Sequence, residues 1–215
     1  MTHSLHREGP LDLLNQEYVL FIYPARGFNY DGSGPKSRRL MEMLYTQGPA
    51  NMLVSTLRKN MYFGIPQEEI LKSIKDGAKI YSVFNEKEKI KKTLAKIMEM
   101  DEGISIMVSG VADRVREVAA ELGLNPHTIN LSLGIHGRTD RLPPADIRQF
   151  TTMCGHGMVS PRLVRDVIRR IKTGKLDLWE ASLIVAAPCA CGIVNPYRSV
   201  EMLKNLVPVY TVNRL

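Results

Sequence analysis

The chain has 215 residues, 44% of them hydrophobic and 24% charged, with no low-complexity tract, a composition that argues against disorder beyond the first dozen residues. No apolar run approaches the roughly 18 residues that a bilayer span needs. The opening MTHSLHREGPLDLL carries charge where a signal peptide places its apolar stretch, so the chain reads as cytoplasmic, with no membrane partner. The net charge of +7 is spread over residues 36–39, 87–92 and 162–175 without interleaved aromatics. That pattern suits a small anionic molecule better than nucleic acid, which stays as an alternative partner, and it permits a homo-oligomer.

Residues 1–35 read as an irregular arm holding one strand candidate, Tyr18–Tyr23, and ending in the Gly-rich turn at 31–35. Helices are predicted over 36–46, over 50–60 after Gly48-Pro49, and over 67–75, where Glu68 and Glu69 occupy the first turn. From residue 78 the pattern alternates: strand at 78–84, helix at 86–99, strand at 104–109, helix at 111–122, strand at 128–134. This βαβαβ layer makes the fold α/β (or α+β), and both parallel and ferredoxin-like antiparallel strand orders fit it. Pro143-Pro144 marks a boundary between an α/β module over 1–140 and a mainly helical module over 141–215. The second module carries predicted helices at 145–150, 161–172, 177–186 and 196–206 and a closing strand at 207–212. Trp179, with Leu176, Leu183 and Ile184, reads as core between its loops.

Two octets in that second module match. Cys154-Gly155-His156-Gly157-Met158-Val159-Ser160-Pro161 aligns with Cys189-Ala190-Cys191-Gly192-Ile193-Val194-Asn195-Pro196, 35 residues on, and the two contain all three cysteines of the chain. Ser160 and Asn195 are favoured helix N-caps and the prolines suit the first helical position, so each octet launches a helix. Helix N-termini favour negative charge such as thiolate. Side chains at i and i+2 of an extended loop share a side, so Cys154 with His156, and Cys189 with Cys191, form two-toothed clamps. Together they offer three sulfurs and an imidazole, a donor set for an iron–sulfur cluster or for zinc. The spacing is not the Cys-x-x-Cys of zinc fingers, and the N–H donors that Gly-rich helix starts offer to cluster sulfides lean towards iron–sulfur. The leading expectation is therefore a metal-centre enzyme working by redox or Lewis-acid chemistry on a small anionic metabolite.

Met153-Cys154-Gly155-His156 resembles the segment that carries one catalytic cysteine in the proline racemase family. Two thiols of that family act as acid and base on opposite faces of one carbon. The resemblance covers this short segment alone, and the family's second cysteine segment is not matched at Cys189 or Cys191. It implies a second reading: a metal-free enzyme with Cys154 and one of Cys189 or Cys191 as an acid/base pair, or as a redox dithiol. The third reading is a non-enzymatic module, nucleic-acid-binding, with a structural zinc.

Outside the octets, the Gly-rich turn with Lys36 and Arg38, joined by Arg26, has the makings of an anion site built on backbone N–H groups. His136 and Arg138 follow the predicted strand at 128–134. Ligands gather at strand C-termini in open α/β sheets, which makes His136 an acid–base candidate and Arg138 an anion-binding one.

Overall fold

The computed structural model describes residues 4–211. Strands β1 (Tyr18–Tyr23), β2 (Asn51–Val54), β3 (Ile80–Phe84) and β4 (Ser105–Ser109) form one sheet in the order β2-β3-β1-β4. Every neighbouring pair is antiparallel. β1 and β2 therefore run the same way with β3 between them, and β3 and β4 do so with β1 between them. That is the split β–α–β arrangement, the antiparallel of the two orders open to the sequence. The protein mixes helix and sheet as expected.

β1 reads Tyr-Val-Leu-Phe-Ile-Tyr without polar alternation because it lies inside the sheet and both of its faces are covered. Tyr18, Leu20 and Ile22 enter one core. There they meet α2 (Ser33–Thr46) through Leu40, Met41 and Leu44, α4 (Lys87–Met100) through Ile90 and Leu94, and α5 (Ala112–Glu121) through Val118. Val19 and Phe21 enter the other core, with Val83 of β3. The helices α6 (Ala145–Thr151), α7 (Pro161–Lys172), α8 (Leu178–Ala186) and α9 (Pro196–Val209) supply the rest of that second core. Phe150, Val167, Ile168, Val185 and Leu203 are fully buried there, each worth about 1.5–3 kcal/mol in apolar burial. The short helices α1 (Leu11–Leu14) and α3 (Gln67–Lys72) lie in connections. Among the described residues no helix is long and apolar enough to cross a membrane.

Three predicted elements differ. The helix over 50–60 is instead β2 followed by turns. Asn51–Val54 is a short apolar run of ambiguous period, and pairing with β3 decides it, beginning with Ala50 N–H to the Val83 carbonyl at 2.7 Å. The strand over 128–134 does not form. Its alternation is real, but no strand lies beside it, and Ile129, Leu131 and Leu133 are exposed. The βαβαβ layer is thus replaced by a sheet whose central strand comes from the supposed arm. The closing strand at 207–212 is helical as far as Val209, and residue 212 lies outside the described residues.

Candidate thiol site

The octets fold alike. Cys154 C=O accepts from Gly157 N–H at 3.0 Å, and Cys189 C=O accepts from Gly192 N–H at 3.2 Å. The two glycines sit at φ 68° and 62°, the left-handed region that suits glycine. Ser160 Oγ caps α7 by accepting from Leu163 N–H, and Asn195 Oδ1 caps α9 by accepting from Arg198 N–H, the same position of each helix. Repetition of residue types has produced repetition of turn, cap and helix start.

The two octets meet through two pairs of side chains, Cys154 with Cys189 and His156 with Cys191. Cys154, Cys189 and Cys191 are free thiols, each at most 5% exposed, within the core that joins the C-terminal helices to the sheet. Cys154 and Cys189 hydrogen-bond to one another. Cys191 Sγ lies 3.0 Å from Nδ1 of His156, so each loop touches the other twice. Each leading cysteine also accepts N–H groups from its own loop: Cys154 from His156 and Met158, Cys189 from Cys191, Ile193 and Val194.

Those bonds decide where the charge resides. A hydrogen bond between two sulfurs needs a proton on one of them and favours a charge on the other, so the Cys154–Cys189 pair titrates as a unit. Cys189 is lowered to about 5, first by the Cys154 hydrogen bond and then by its three backbone N–H groups, against the opposing cost of burial. Cys154 is raised, by serving as donor to Cys189, by burial and by the negative charge facing it. Three N–H groups against two place the thiolate on Cys189. Cys191 is pushed up to about 12 by burial and by the neighbouring charge of Cys189, and stays a neutral thiol.

The surroundings hold the loops in place. Gly192 packs on β2 so tightly that a Cβ there would lie 2.7 Å from Leu53 Cβ and 3.0 Å from the Met52 carbonyl carbon. Asn51 of the same strand is fully buried and donates from Nδ2 to the Val194 carbonyl at 3.0 Å. Arg7 reaches both loops with one nitrogen: Nη2 donates to the Met153 carbonyl at 3.0 Å and to the Ile193 carbonyl at 2.5 Å. Its Nη1 lies 2.6 Å from Glu17, which also pairs with Arg198 of α9 at 2.7 Å. Glu8 adds a bond from its N–H to Thr152 Oγ1, an ion pair to Arg148 and a carbonyl that accepts from Arg198. Sequence reasoning missed Arg7, Glu17, Asn51 and Arg198. Asn51 carried a signal, a lone polar residue in an apolar run. The ion cluster carried none, because its members are far apart in the chain.

The other predicted site residues are not gathered here. Lys36 and Arg38 belong to α2, on the face of the sheet opposite the cysteines, and Arg38 Nε donates to the Leu71 carbonyl. Arg26 is exposed over the Tyr30 ring. The N–H groups of the Gly-rich turn do hold an anion, but it is the chain's own Asp76. That carboxylate accepts from Gly34 at 2.6 Å and Gly32 at 2.9 Å, and is held below its ordinary value by them. His136 is exposed, with Nε2 2.8 Å from the Leu133 carbonyl, and Arg138 pairs with Asp140. Trp179, expected in the core, is 37% exposed and packs against Tyr62 and Tyr197.

Among the described residues, no group of three or more His, Cys, Asp and Glu side chains has the arrangement of a metal site. The arrangement that is present is a buried thiol–thiolate pair with a second, His156-contacted thiol beside it. No family model, no curated protein and no solved structure matches the chain.

Proposed function

We propose that the chain is a two-thiol enzyme in which Cys189 and Cys154 act as general base and general acid. The observation that carries this reading is the contact of the two loops: two buried sulfurs that hydrogen-bond to one another, each also receiving N–H groups from its own loop. A base needs a resident negative charge, and the Cys154 hydrogen bond and three backbone N–H groups favour one on Cys189. An acid needs a proton held against loss, and Cys154 has that. Because both loops are built to support a thiolate, the roles can exchange once a proton has moved, as a reversible proton transfer at one carbon requires. In such a cycle Cys189 takes the proton from the substrate carbon and Cys154 returns its own, leaving Cys154 as the thiolate and Cys189 as the thiol. The substrate must part the two sulfurs, whose resting contact occupies the place of the reacting carbon.

A metal centre is the second reading, and a specific observation favours it. N–H groups donated to thiolate sulfur are also how metal-bound cysteines are steadied, and the same two loops bring Cys191 to within 3.0 Å of His156. The residues Cys154, Cys189, Cys191 and His156 would then hold zinc or an iron–sulfur cluster.

One preparation tests both. The protein is purified without oxygen, its iron, zinc and sulfide are measured, and its thiolate content is read from ultraviolet absorbance as pH is varied. The expected result is metal-free protein with one thiolate per chain at neutral pH, lost in Cys189→Ser. A stoichiometric metal that disappears in Cys154→Ser and Cys189→Ser selects the second reading. Metal-free protein with no thiolate below the ordinary thiol range overturns the first.

A further inference from the structure

A cleft of about 470 Å³ opens between the N-terminal arm and the irregular segment that follows α5. Its wall is mainly apolar, with Leu5, Ile135 and Leu142 contributing, and its volume is that of a small-molecule site. Arg7 forms part of the wall and is the same residue that bonds the carbonyls beside both cysteine loops. Its side chain is only 7% exposed, and its Nε has no hydrogen-bond partner among the described residues. A buried guanidinium N–H left unbonded is costly, which points to an acceptor that comes from outside.

Charge points the same way. Arg7 and Arg198 share the single carboxylate of Glu17, both approaching its Oε2, so two buried cations face one anion. Arg148, also in the wall, is already matched by Glu8. One positive charge of this cluster is therefore unbalanced, and with Nη1 on Glu17 and Nη2 on the two loop carbonyls, the Arg7 Nε–H is the donor left for a carboxylate.

We infer that this cleft binds a small carboxylate with a short apolar body, its charged end on Arg7 and its body against Leu5, Ile135 and Leu142. Arg7 also bonds the Met153 and Ile193 carbonyls, so the ligand's charge is held by the residue that ties the two thiol loops together. The cleft is where the anionic substrate of the proposed enzyme first docks, before it reaches the sulfurs, which do not line it. That link rests on the two-thiol reading, whereas occupation of the cleft does not.

The probe is pentanoate, with pentanamide as its uncharged counterpart, titrated into the full chain and followed by backbone amide shifts. Pentanoate is expected to bind saturably, moving the signals of Arg7, Gly134 and Ile135, with pentanamide about tenfold weaker or more. Thr139→Glu places a negative charge on the exposed cleft wall without touching the core, and is expected to weaken pentanoate about tenfold while leaving pentanamide unchanged. Repeating the titration in Cys189→Ser separates the two claims: binding retained there with no thiolate keeps the cleft whatever becomes of the chemistry. Equal affinity for acid and amide, no saturable binding, or indifference to Thr139→Glu overturns the inference.

Discussion

At the scale of single residues, the thiol pair makes stability depend on pH in a defined window. Cys189 is depressed to about 5 from an unfolded value near 9, so its contribution is fully present above the unfolded value and is lost as pH falls towards 5. Cys154 is raised, so its contribution is present below the unfolded value and is lost as pH rises through the folded one. Stability drawn from the pair therefore climbs from about pH 5 to about pH 9. Urea midpoints across that range are expected to rise in the natural protein and to stay flat in the double variant Cys154→Ser/Cys189→Ser. Parallel curves would mean that no proton is shared. Cys154→Ala removes the S–H donor alone, and is expected to raise the Cys189 value and reduce the thiolate absorbance at neutral pH. An unchanged absorbance would assign the shift to the backbone N–H groups only.

At the scale of elements, the matched octets allow a comparison within one molecule. Gly157 and Gly192 occupy the same turn with nearly the same positive φ, yet a Cβ on Gly157 meets nothing within 4 Å, whereas one on Gly192 collides with β2. Gly157→Ala is expected to cost about 1 kcal/mol, the strain of the left-handed conformation alone. Gly192→Ala adds overpacking and is expected to cost about 3 kcal/mol. Chemical denaturation of the two variants checks the difference, and equal losses would show that β2 does not brace the second loop. The strand that does this bracing is the one whose sequence reads as helix. Its four residues contain too little periodicity to choose, and only the partner strand chooses for them.

At the scale of the whole molecule, the site depends on an ion cluster drawn from both ends of the chain. Glu17 is fully buried. That burial alone would raise its carboxyl, but the guanidiniums of Arg7 and Arg198 more than offset it and hold it below the ordinary range. A depressed carboxylate stabilises above its unfolded value and loses that contribution as pH falls through the folded one, so acid unfolding is expected to begin below about pH 4.5. Glu17→Gln leaves two buried cations without an anion and is expected to cost about 3–5 kcal/mol at neutral pH. It should also abolish the acid transition assigned to this group. A loss under about 1 kcal/mol would show that the cluster does not hold the loops.

By itself the sequence determined the mixed helix–sheet class, the C-terminal helices and the doubled cysteine loop, because periodicity, caps and motif repeats are written in neighbouring residues. Capping chemistry at Ser160 and Asn195 acts within four residues, so the helix start at the end of each octet was legible. Tertiary structure decided what depends on distant partners: that Tyr18–Tyr23 enters the middle of the sheet, that Asn51–Val54 is a strand and residues 128–134 are not. It also decided that the Gly-rich turn is filled by Asp76, and that Arg7 joins the two loops. Strand pairing and buried charge are satisfied by groups far apart along the chain. No local pattern can announce them.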